Sequence, residues 1–102
     1  MELDTLRNRF FRIVGTNTES KIWAYIFSQH SLNFKAQEVI KGSNISNKKG
    51  YKILKYFLEQ NYLVKTEQKK NIQYYNFNIE KEEVKHLHSL FFHIDKTTEG
   101  AI

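Results

Sequence analysis

The sequence predicts an α+β fold that is mainly α, with one small β-hairpin, in a single domain spanning 1–102. Three observations point there. Five runs carry apolar residues at spacings of three and four, the signature of helices with one buried face. Two alternating runs, 62–67 and 72–79, flank a polar Gln68-Lys69-Lys70-Asn71 tip, which reads as a hairpin. None of the 102 residues is proline, which fits helices joined by short connections.

Glu2–Val14 opens the chain as an amphipathic helix. Leu3, Leu6, Phe10, Ile13 and Val14 form its apolar stripe, and Arg7, Arg9 and Arg12 lie off it. Gly15-Thr16-Asn17-Thr18 is a break whose Asn17 or Thr18 can cap the next helix. Glu19–Gln29 is that second helix, with Ile22, Trp23, Ile26 and Phe27 inward. In the connector from Ser31 to Phe34, Leu32 and Phe34 alternate as a short strand requires. Lys35–Lys41 is a short helix with Ala36, Val39 and Ile40 inward, and its Lys35 stands where a capping Ser or Thr is usual. Gly42–Ile45 is a turn.

The stretch Asn44–Leu63 organises the rest. Ser46 can cap its helix, Ser46–Gln60, by accepting from the free N–H groups of the first turn. Ile53, Leu54, Phe57 and Leu58 make the inner stripe, while Lys48, Lys52 and Lys55 project from the other side at roughly 100° per residue. Asn61 can take the left-handed conformation that ends helices. Tyr62–Glu67 and Ile72–Ile79 then pair, with Tyr75, Phe77 and Ile79 on one face. Glu80–Asp95 is the last helix. Its N-terminal Glu80, Glu82 and Glu83 suit the helix dipole, and Val84, Leu87, His88, Phe91 and Ile94 form its stripe.

Glu38-Val39-Ile40, Ser43-Asn44-Ile45-Ser46 and Leu54, Phe57 and Asn61-Tyr62-Leu63 together resemble winged helix-turn-helix DNA-binding domains. The first triplet matches the start of their pattern, the quartet its turn, and the last set the end of its second helix. The resemblance covers about Thr18–Ile79 and is to small MarR-type transcription regulators. Ser43 stands for a usual buried Leu, Asn44 for the turn Gly, and Gly50 for a usual Val or Thr. It implies a winged-helix core at 18–79, an N-terminal helix at 1–15 and a C-terminal dimerisation helix at 80–96. Ser46–Gln60 becomes the recognition helix and the hairpin becomes the wing.

Charge agrees with that reading. The net charge is +5. Lys41, Lys48, Lys49, Lys52, Lys55, Lys65, Lys69 and Lys70 face only Glu59 and Glu67 across the middle of the chain, whereas the stretch from Glu80 on is acidic. A basic centre of this kind is the electrostatic footprint of a nucleic-acid binder. Asn47, Lys48, Lys49, Tyr51 and Lys52 are the recognition candidates, since Asn pairs with adenine edges and Lys with guanine or phosphate. Ser46 belongs to the same surface, Lys55 reaches phosphate, Lys69, Lys70 and Asn71 form the wing tip, and Lys35 with Gln37 begins the preceding helix.

Other functions find little in the residues. There is no cysteine, so disulfides and thiolate metal sites are excluded. His30, His86, His88 and His93 do not form the i, i+4 pair of a helical zinc site. No Gly-rich phosphate loop or acid–base pair marks an enzyme, and no cofactor is expected. Trp23 and the tyrosines have the spacing of core residues rather than of a base-stacking platform. No apolar run reaches the length of a membrane span, and the charged N-terminus is not a signal peptide, so a cytoplasmic location is expected.

The expected function is a sequence-specific regulator that binds double-stranded DNA as a homodimer. The alternatives are a protein-interaction winged helix in a larger assembly, and an architectural or plasmid-maintenance DNA binder. The dimer seam is expected from the terminal helices, at Leu3, Leu6, Phe10, Phe11, Leu87, Leu90, Phe91, Phe92 and Ile94, because adjacent aromatics diverge by roughly 100° and exceed one contact face.

Overall fold

The computed structural model of the chain describes residues 3–29 and 32–92, with side chains from Thr5 onward. His30, Ser31, His93, Ile94, Asp95, the tail Lys96–Ile102 and the Leu3 side chain lie outside the described residues. The elements run α1 (Leu3–Val14), α2 (Thr18–Ser28), β1 (Phe34–Lys35), α3 (Ala36–Gly42), α4 (Asn47–Glu59), β2 (Leu63–Lys69), β3 (Ile72–Phe77) and α5 (Glu82–Phe92). The three strands form one antiparallel sheet in the order β1-β3-β2.

Local chemistry sets the helix ends. Asn17 rather than Thr18 caps α2: its Oδ1 accepts from the Ser20 amide at 2.9 Å, and Ser20 Oγ accepts from the Asn17 amide at 2.9 Å. Lys35 has no side-chain acceptor, so Glu38 supplies the cap of α3 by accepting from the Lys35 amide at 3.2 Å. Ser46 Oγ accepts from the Lys49 amide at 3.3 Å and starts α4. Both α3 and α4 end on an asparagine in the left-handed region, Asn44 at φ 57° and Asn61 at φ 62°. After α3, Ile45 N–H reaches Ile40 O at 3.4 Å and Asn44 N–H reaches Lys41 O at 3.1 Å. After α4, Tyr62 N–H reaches Phe57 O at 2.8 Å and Asn61 N–H reaches Leu58 O at 3.1 Å. Each pair closes the last free carbonyls of its helix.

The hairpin strands shift from their sequence boundaries, 62–67 and 72–79. β2 continues to Lys69, because one extra residue is absorbed in a bulge between Lys65, opposite Tyr75, and Gln68, opposite Gln73. The turn shrinks to Lys70-Asn71, at φ 51° and 66°, between the Lys69–Ile72 pair. Two successive positive φ values are those of the tight turn that matches strand twist.

Phe27 is the hub of the core. Its ring centroid lies 5.3 Å from Trp23, 5.3 Å from Phe77, 5.4 Å from His88, 5.7 Å from Phe91 and 6.3 Å from Phe10. Trp23 is buried and stacks on Phe57 at 4.8 Å, so it is a core residue. The tyrosines divide: Tyr51 and Tyr56 are exposed, and Tyr25, Tyr62, Tyr74 and Tyr75 are half-buried.

Three apolar residues assigned to inner faces are outside. Ile13 is 58% exposed, because the buried face of α1 centres on Leu6 and Phe10 and turns toward Phe11 and Val14, away from Ile13. Leu32 is 66% exposed: β1 begins only at Phe34, so no sheet covers Leu32. Ile79 is exposed because β3 ends at Phe77.

His88 lies among Phe27, Phe77 and Phe92, and burial lowers its pKa from the ordinary 6.5. The unfolded chain therefore takes up this proton first as pH falls. The contribution is present above about 6.5 and is lost as pH falls through the lower folded value. Denaturant midpoints should drop between about pH 7.5 and 5, and His88→Phe should flatten that drop. An equal drop in the variant would assign the acid loss to other groups.

Candidate nucleic-acid interface

α4 divides cleanly along its length. Gly50, Leu54 and Phe57 face the core, Lys48, Lys49, Tyr51, Lys52 and Lys55 are exposed away from it, and Asn47 is exposed at the helix start. Ser46 is exposed too, although its hydroxyl is engaged in the cap. Among the described residues, no carboxylate pairs with Lys48, Lys49, Lys52 or Lys55. The face is therefore four uncompensated cations with an amide and a phenol among them.

Gly50 is what lets this face stand where it does. A Cβ there would come within 2.5 Å of Ile40 Cγ1 and 2.9 Å of Ile40 Cδ1 and Cγ2. α3 and α4 thus approach more closely than any side chain at this position permits. Ser43, in the turn between the two helices, is buried too, and its hydroxyl donates to Lys21 O at 3.5 Å.

The wing joins the same surface. A hollow of about 430 Å³ is lined by Lys35, Ala36, Gln37, Tyr51, Asn71, Ile72, Gln73 and Tyr75. It brings the start of α3, the middle of α4 and the wing tip into one concavity. Tyr51 O–H donates to Gln37 Oε1 at 2.7 Å across it. Lys35 is half-buried here, whereas Gln37 and Asn71 are exposed. Lys69 is drawn along the strand, its Nζ 3.4 Å from Glu67 Oε1 and 5.8 Å from the Tyr74 ring centre. Lys70 at the tip has no such partner among the described residues.

Gln73 and Tyr75 were not among the sequence-derived candidates. Their signal was the period-two alternation of β3, which puts both on one face. Gln73 Nε2 donates to Glu67 O at 3.1 Å and to Tyr74 O at 2.9 Å, so it braces the bulge. The pairing of Tyr51 with Gln37 had no signal in sequence, since 14 positions separate them.

The expected dimer residues divide by burial. Leu6, Phe10 and Phe91 are enclosed in the chain's own core, where Phe10 and Phe91 meet at 5.4 Å. They offer no surface to a second copy, because α1 and α5 pack on one another. Phe11, Leu87, Leu90 and Phe92 are half-buried and keep an outer edge. The remaining two, Ile94 and the Leu3 side chain, lie outside the described residues.

No cluster of three or more metal-ligating side chains occurs among the described residues, and none of their helices is long and apolar enough to cross a membrane. No protein-family model and no curated protein matches the sequence. Solved structures match the fold. MepR, a transcription regulator of the Staphylococcus aureus multidrug efflux pump MepA, superposes with a TM-score of 0.60 at 9% identity, over 98% of this chain and 75% of that one. The adhesin competence repressor AdcR of Streptococcus pyogenes superposes at 0.56 with 20% identity, over 97% of this chain and 74% of that one. The fold is that of these proteins, a winged helix-turn-helix with a helix added at either end.

Proposed function

We propose that this chain is a sequence-specific, duplex-DNA-binding transcription regulator that acts in the cytoplasm as a homodimer. The observation that carries the reading is the exposed face of α4, with Lys48, Lys49, Lys52 and Lys55 uncompensated and the wing tip beside it. An α-helix fits the major groove, where Asn47, Lys48 and Lys52 meet base edges and Tyr51 stands among them. Lys55 and Lys35 lie toward the flanking phosphates, and Lys69, Lys70 and Asn71 clasp the backbone next to them. The regulators that share the fold support the same role.

The core 18–79 carries the DNA surface, and α1 and α5 carry the dimer. Phe11, Leu87, Leu90 and Phe92 supply its seam. Two-fold pairing is the commonest symmetry of such assemblies, and it sets two copies of α4 about 34 Å apart, one turn of the duplex. Sedimentation should give twice the 12.2 kDa chain mass. Leu90→Glu with Phe92→Glu should return it to monomer and weaken specific binding far more than binding to random DNA. A concentration-independent mass of one chain in the parent would end the dimer reading.

The logarithm of the duplex binding constant should fall linearly with log salt concentration, because cations on the protein displace counterions from phosphates. Lys48→Ala and Lys52→Ala should each weaken binding by about 1–2 kcal/mol. Lys70→Asn should lower affinity evenly across sequences while leaving the chain as stable or more so, since Asn accepts positive φ more readily than Lys. Salt-insensitive binding, or unchanged affinity in all three variants, would favour a protein-interaction module. Equal affinity for a selected site and random duplex would favour an architectural binder.

A further inference from the structure

The DNA-facing surface contains one side-chain hydrogen bond that joins the two helices of the turn. Tyr51 on α4 donates to Gln37 Oε1 on α3 at 2.7 Å, and both side chains are exposed. It secures no buried group, so folding does not require it. Its effect falls on Gln37, whose long side chain is otherwise free to rotate.

Resting on the DNA-binding reading above, we propose that Gln37 reads an adenine in the bound duplex and that Tyr51 is the residue that positions it. A Gln amide has two lone pairs on oxygen and two hydrogens on nitrogen. Tyr51 takes one lone pair. One acceptor site and the Nε2 donors remain, side by side in one plane. That edge complements adenine, whose N6 donates and whose N7 accepts in the major groove. The phenol has only two torsions and is a stiff strut, so the amide is oriented before DNA arrives. Gln37 and Tyr51 also line the same hollow between α3, α4 and the wing, so the amide stands between the start of α3 and the wing tip.

The experiment selects bound duplexes from a random library with the parent chain. Affinities are then measured for single base-pair changes with the parent, Tyr51→Phe, Gln37→Ala and the double variant. One position should prefer adenine by about ten-fold in the parent. Tyr51→Phe and Gln37→Ala should each level the preference at that same base pair, with a larger fold-loss at the selected site than on random DNA. The double variant should add nothing, the mark of two residues acting as one unit. Gln37→Glu keeps the bond to Tyr51 but replaces the Nε2 donors with an acceptor, so the preference should move to cytosine, whose N4 donates. Thermal melts check that each variant is folded.

Effects at different base pairs, additive effects, or an even loss across all sequences would overturn the proposal; the last outcome would place Gln37 on phosphate. A parent with a clear site preference that neither variant alters overturns this inference alone. A parent with no site preference overturns it together with the sequence-specific function on which it rests.

Discussion

Phe27→Ala lowers the stability of the folded chain by about 3–5 kcal/mol. The side chain is fully buried, and five aromatic rings lie around it, from α1, α2, β3 and α5. Truncation removes the transfer free energy of the ring and leaves a cavity that stiff aromatic neighbours cannot fill by relaxing. A loss of that size is a large part of the roughly 5–15 kcal/mol that a domain has in total. Melting temperature should fall by more than about 12 °C, and the denaturant midpoint should fall without a change in slope. Phe27→Leu keeps most of the volume and should cost under about 1.5 kcal/mol. Equal losses in the two variants would show that α5 is held by something other than this cluster. Chain concentration must be fixed across the series, because an assembly makes stability depend on it.

Gly50→Val should destabilise by about 3 kcal/mol, at the upper end of the usual overpacking cost. A helix interior otherwise disfavours glycine by roughly 1 kcal/mol relative to alanine, so a helix free of tertiary contacts would gain from the change. Here the gain is overrun. The new Cβ meets three atoms of Ile40 at 2.9 Å or less, and Ile40 is itself fully buried with nowhere to move. Gly50→Ala tests the balance more finely, because propensity and clash oppose each other. Shortening the neighbour as well, in Gly50→Ala with Ile40→Val, should recover part of the loss, giving a favourable coupling between the two sites. A thermal melt in which Gly50→Val is stabilised would rule out the close approach of α3 and α4.

The winged-helix outline was legible because most of its punctuation is local. Asn17, Ser46, Asn44 and Asn61 act on backbone within a few residues of themselves, so their roles can be read from neighbours alone. Gly50 was legible for a different reason: a glycine inside a strong helix runs against propensity and signals a tertiary demand. The cationic side of α4 was legible from the helical period, which fixes what lies opposite Leu54 and Phe57. The expectations that failed were those that depend on what covers a surface. Ile13, Leu32 and Ile79 have the right type and nearly the right spacing, but no element among the described residues lies over them.

By itself the sequence determined the helices, the Ser46 cap of α4, the hairpin and the cationic face, since each arises from interactions between residues close along the chain. Only the tertiary structure decided that Phe10 and Phe91 close the chain's own core instead of a seam, because burial depends on which helices meet. Only it placed a bulge in the wing, where two strands must agree on register. And only it joined Tyr51 to Gln37, a contact made when the close approach at Gly50 brings two helices of the turn side by side.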